Sequence, residues 1–176
     1  MMEVEALRTA RLAVVGLDTT MGVPPLITEV AVMYLDGGVI TAGPFAYWVA
    51  PDVPMHQVQH RSWVNVRQAP PWPEVAGQVL LAVHGRVLLL HEAGRLDVLR
   101  RHLPDWEPAG VAHTRALAEQ TWPGLDGYDL RAVCVAAGVD PPRPGSGAVT
   151  EAQAVALLLP ALLRDAAAAR SPAGGT

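Results

Sequence analysis

Short unbroken apolar runs alternate along this chain with stretches punctuated by Gly and Pro. Leu12 to Val15 is apolar and rich in β-branched residues, the mark of a strand buried on both faces. That strand covers 11–18 and runs out through Gly16-Leu17-Asp18-Thr19-Thr20. A second strand, about 26–36, carries Glu29 and closes at Asp36-Gly37-Gly38, a hairpin signal. A third covers about 39–50 and stops at Pro51. Three antiparallel strands therefore open the chain. Residues 51–73 read as irregular, because Pro51, Pro54, Pro70, Pro71 and Pro73 exclude a long helix. Pro73 and Glu74 suit the first turn of a helix that runs to about Val83, and Gly85 stops it. Arg86 to His91 is a further buried strand. A helix follows near 95–103, then a short strand near 109–113. Helices near 114–121, 128–137 and 150–168 complete the pattern, with a Pro/Gly loop at 141–147. This order predicts an α/β fold: a central mixed five-stranded sheet flanked by helices.

At 176 residues, 51% of them hydrophobic, the chain can bury a core of its own. The pattern divides it into a lead-in at 1–10, one domain at 11–169 and a tail at 170–176. The tail's Pro, Gly and Ala predict disorder. No segment reaches the ~18 consecutive apolar residues of a membrane span, so no membrane is expected. The acidic start lacks the basic region of a secretory signal. The lone Cys134 fits a reducing compartment, and a cytoplasmic protein is expected. Net charge is −4 and every basic residue is an arginine. No basic footprint for tight duplex binding is visible.

The stretch Gly16-x-Asp18-Thr19-Thr20-Met21 resembles the D-x-E-T-T-G motif of the DnaQ-like (DEDDh) 3′–5′ exonucleases. The resemblance continues in order along the chain. Val49-Ala-Pro-Asp-Val-Pro, His60-Arg-Ser-Trp63 and Ala69-Pro70-Pro71-Trp72-Pro73-Glu74-Val75 are similar to one family segment. Gly85-Arg-Val-Leu-Leu-Leu-His91-Glu92-Ala93, Thr114-Arg-Ala-Leu-Ala, Trp122-Pro-Gly-Leu125, Tyr128-Asp-Leu130, Gly138-Val139 and Glu151-Ala152 follow. The resemblance implies an RNase H-like exonuclease fold. It also implies a site in which four carboxylates hold two divalent ions and a histidine activates water.

This chain departs from the family at those positions. The first aspartate falls on Gly16, leaving an expected gap beside the strand. The glutamate falls on Asp18, the final aspartate on Glu151 and the histidine on Ser146. The second-motif aspartate falls on Leu96 or Arg95, with Asp97 the nearest acid. Two divalent ions about 4 Å apart repel by roughly 4 kcal/mol at the dielectric of water and roughly 16 at an effective dielectric of 20. Fewer carboxylates offset that poorly, and an unactivated serine does not replace a histidine base.

The resemblance leaves Asp18 and Glu151 as residual catalytic and metal residues, with Glu92 and Asp97 as substitutes. It places Thr19, Thr20, His60 and Ser146 on the substrate side. Magnesium or manganese is expected as one ion at most. Other readings stay open at each position. Asp18 is equally a polar cap at a strand end, and Glu151 a favourable charge at a helix start. Glu29 and His91 read as structural, and Thr19 and Thr20 as turn residues. Trp63 and Trp72 either stack a base or cover the core edge. The expected function is a weakened or non-catalytic module for single-stranded nucleic acid, a nucleotide or a protein partner. The alternative is an active exonuclease with a rearranged site.

Overall fold

A computed structural model describes residues 4–58 and 63–170. Of the expected tail at 170–176, Arg170 instead ends the last helix, and 171–176 lie outside the described residues, as does His60. After a short helix α1 (Val4–Leu7), three strands run in sequence: β1 (Arg11–Thr19), β2 (Ile27–Asp36) and β3 (Val39–Trp48). Then come α2 (Trp63–Gln68), α3 (Trp72–Val83), β4 (Val87–Leu90), α4 (Ala93–His102), β5 (Gly110–His113), α5 (Thr114–Thr121), α6 (Leu130–Ala137) and α7 (Ala148–Arg170). The five strands form one sheet in the order β3-β2-β1-β4-β5. β1 pairs antiparallel with β2 and parallel with β4, so the sheet is mixed and β1 is its central strand.

The period-2 alternation of β1 divides its side chains between two cores. Ala13, Val15 and Leu17 meet Val75, Val79 and Val83 of α3 and Leu96 and Leu99 of α4. Leu12 and Val14 meet α5, α6 and α7, through Leu117, Val133, Val155 and Leu159 among others. Gly16 and Asp18 share the face of Leu12 and Val14. They therefore lie under α7.

Two sequence expectations need correction. Residues 63–68 form a short helix inside the proline-rich segment; prolines at 54 and 70 bound it without entering it. And α7 does meet the length and composition of a membrane span: Ala148–Ala169 has mean hydropathy 1.4. Alanines and few charges raise that average, while the helix packs as the central helix of one core, with 56% of the window buried.

Helix α7 also starts two residues before the predicted position. Its first turn is satisfied from a distant strand: the Ala148 N–H donates to Glu29 Oε2 at 2.8 Å. Glu29 is only 2% exposed. A helix start that borrows its acceptor from β2 carries no local capping signal.

Candidate functional site

Where β1 ends, its last residues meet α7, the start of α4 and the loop before α7. Between them lies a cleft of about 360 Å³. Leu17 and Asp18 line it from β1, His91, Glu92 and Arg95 from the β4–α4 corner, Asp129 to Arg131 from the start of α6, and Pro142 to Gly147 with Glu151 from the α7 side.

The place beside Gly16 is filled, contrary to the gap expected from sequence. A Cβ at Gly16 would stand 2.1 Å from the Ala148 carbonyl oxygen and 2.8 Å from the Ala152 nitrogen. The backbone of α7 occupies the space that a side chain would need. Glycine here is a condition of strand–helix contact.

Glu151 sits one helical turn beyond Ala148, and its two oxygens have separate partners. Oε1 lies 3.3 Å from Arg95 Nε. Oε2 accepts the Leu17 N–H at 3.3 Å. Burial pushes its carboxyl up from the ordinary value; Arg95 and the Leu17 N–H oppose this, while Glu92 and Asp18 add to it. Of the two positions that the family's second aspartate could match, Leu96 turns into the core and Arg95 faces the cleft. A guanidinium thus stands against the acid of α7.

Asp18 is 7% exposed, and its Oδ1 accepts the Thr19 N–H at 3.0 Å. Across the strand pair it faces Glu29. Burial is the main reason the Glu29 carboxyl titrates high; the Ala148 N–H works against it and the charge of Asp18 with it. Glu92 lines the cleft, yet its carboxylate is half exposed and pairs with Arg115 at 3.6 Å. Asp97 does not join these acids. It is exposed on α4 between the buried Leu96 and Val98, because the helix starts at Ala93 and keeps its register, so no shift carries Asp97 inward.

Thr20 holds the turn after β1, its Oγ1 accepting the Leu26 N–H at 3.0 Å. Neither Thr19 nor Thr20 is among the cleft residues, whereas Ser146 is. His91 is 3% exposed. Its Nε2 donates to the Tyr128 carbonyl at 3.1 Å and its Nδ1 accepts from the Thr114 hydroxyl at 2.9 Å. The neutral ring suits this pairing, and burial lowers the histidine's pKa. Trp72 covers the core edge: its Nε1 donates to the His102 carbonyl at 2.9 Å. Burial pushes the Cys134 thiol up to about 11, so it is no nucleophile.

Arg131, Arg143 and Asp129 also line the cleft and were not singled out from the sequence. Asp129 is the N-cap of α6, accepting the Ala132 N–H at 3.0 Å. The two arginines sit in a turn and a helix start without periodic signature, so only their placement identifies them. Among the described residues, no group of three or more His, Cys, Asp or Glu side chains is arranged to hold a metal ion.

No protein-family model and no curated protein matches the sequence. Solved structures do match the fold. Exonuclease X, in complex with 5′-overhanging duplex DNA, superposes with TM-score 0.65 at 21% identity over 89% of this chain and 93% of its own. A full-length 3′-exonuclease gives 0.70 at 15% identity over 90% and 83%. The zinc-bound complex of E. coli ExoI with single-stranded DNA gives 0.67 at 14% identity over 92% of this chain but 42% of that protein. The chain has the RNase H-like exonuclease fold that its motifs implied, with a mixed five-stranded sheet between helices.

Proposed function

We propose that this chain is a non-catalytic member of the exonuclease fold that binds single-stranded nucleic acid or a nucleotide in its cleft. The carrying observation is the contact at Gly16. With α7 backbone 2.1 Å from a Cβ there, a carboxylate has no room at the first metal-ligand position. The rest of the donor set agrees. Glu151 is engaged by Arg95 and the Leu17 N–H, Glu92 by Arg115, and Asp97 faces solvent. These residues do not fit a pair of divalent ions, which need several carboxylates to offset their mutual repulsion and octahedral oxygen geometry if magnesium. The histidine position holds Ser146, which keeps its proton near neutral pH. What supports the binding half is the surviving cleft and the nucleic-acid complexes formed by Exonuclease X and ExoI on the same fold. Fold by itself does not transmit activity.

The test is incubation of excess protein with end-labelled single-stranded DNA and RNA in magnesium and in manganese. The expected result is retardation on a native gel and no shortening. Shortening that vanishes in Asp18→Ala and Glu151→Ala would overturn the proposal and establish a rearranged active site.

A further inference from the structure

We infer that Arg95 is the resident cation of this cleft, and that Arg131 and Arg143 there hold a phosphomonoester without a divalent ion. This rests on the binding reading above and names its ligand chemistry: the phosphate of a mononucleotide or the terminal phosphate of an oligonucleotide.

The charged groups that line the cleft fall into two sets. In the first, every acid has a donor from the chain itself. Glu151 has Arg95 Nε at 3.3 Å and the Leu17 N–H. Glu92 has Arg115, Asp129 has the Ala132 N–H, and Asp18 has the Thr19 N–H. The second set is Arg131 at the start of α6 and Arg143 in the loop before α7. Both are exposed, and neither forms an ion pair among the described residues. Three of the chain's thirteen arginines thus line one cleft of a protein with net charge −4.

A metal-dependent site neutralises its acids and its phosphate with the same ions. Here the first task falls to Arg95, whose place is fixed by the first turn of α4. The second is left to guanidinium groups, whose planar donor forks match phosphate oxygens in pairs. A volume of about 360 Å³ is at the small end of ligand sites and suits one nucleotide unit rather than a long tract.

The probes are AMP, dTMP and a short oligonucleotide with and without a 5′- or 3′-terminal phosphate, titrated calorimetrically in EDTA and in magnesium. Phosphate-bearing probes are expected to bind equally tightly in both buffers. Arg131→Gln and Arg143→Gln should each weaken binding about tenfold or more, the loss of a charge-assisted hydrogen bond, while melting with wild type. Arg95→Gln should weaken binding in EDTA beyond the surface control Arg100→Gln. Mononucleotides binding as well as oligonucleotides would identify the free nucleotide as ligand; binding of terminally phosphorylated oligonucleotides alone would identify the strand end. Binding that requires magnesium overturns the inference, as does binding indifferent to both Arg131 and Arg143, or an Arg95→Gln protein indistinguishable from Arg100→Gln. An oligonucleotide that binds equally well without its terminal phosphate defeats this inference and leaves the proposed function standing; metal-dependent shortening defeats the proposed function.

Discussion

If the proposed function holds, Gly16→Asp is the substitution that would restore a carboxylate to the cleft, and the contacts at Gly16 predict that it destabilises the fold. A Cβ at position 16 would lie 2.1 Å from Ala148 O, 2.8 Å from Ala152 N and 3.0 Å from Ala148 C. The shortest of these is more than 1 Å inside an ordinary contact of 3.4–4 Å, and all three neighbours are backbone. No rotamer change relieves them, so α7 must move. The helix resists: the Glu29–Ala148 bond holds its first turn, and Ala152, Val155 and Leu158 are fully buried along it. Overpacking a core costs about 1–3 kcal/mol where side chains can give way, so about 3 kcal/mol or more is expected for Gly16→Ala. For a domain of this size that lowers the melting temperature by about 6–12 °C. Gly16→Asp adds the burial of an unpaired charge, several kcal/mol more, against a total stability of about 5–15 kcal/mol. The assay is thermal and urea denaturation of the three proteins, with manganese-dependent trimming measured on any that fold. A Gly16→Ala protein that melts with wild type would refute the strand–helix contact. A Gly16→Asp protein that folds normally and trims DNA would refute the whole reading of the site.

Two further outcomes follow from buried polar groups. Burial raises the Glu29 carboxyl above its ordinary 4.5, so its contribution to stability is present below that pH and is lost as pH rises through the folded-state value. Glu29→Gln keeps an acceptor for Ala148; relative to wild type it should gain stability between pH 4 and pH 7 by urea denaturation, and a flat difference would count against the assignment. Glu29→Ala should instead cost about 1–3 kcal/mol by leaving the Ala148 N–H without its acceptor. His91 is depressed by burial, so the stability it supports is present above 6.5 and declines as pH falls through its lowered value. Nitrogen-detected NMR should find the Nε2–H tautomer persisting below pH 6.5, and a ring that charges at the ordinary value would contradict the burial of His91 as the cause of its depressed pKa.

The sequence by itself determined the strands, most of the helices and the fold, because unbroken apolar runs, turn residues and helix stops are local signals; it missed the short helix at 63–68. The run at 12–15, the Asp36-Gly37-Gly38 turn and the exit at Gly85 each act within a few residues. The same locality exposed the departures at Gly16, Asp18, Ser146 and Glu151, since each lies in a motif of fixed spacing. What the departures do was decided only by tertiary structure. Gly16 and Ala148 are remote in sequence, so nothing near Gly16 tells that a helix backbone closes over it. Glu29 and Ala148 are 119 positions apart, and Leu17 and Glu151 134. Arg95 facing the acid of α7, while Leu96 turns to the core, depends on how α4 rolls against the sheet. Hydrogen bonds and ion pairs between distant segments leave no periodic trace; they exist only once packing has brought their partners together.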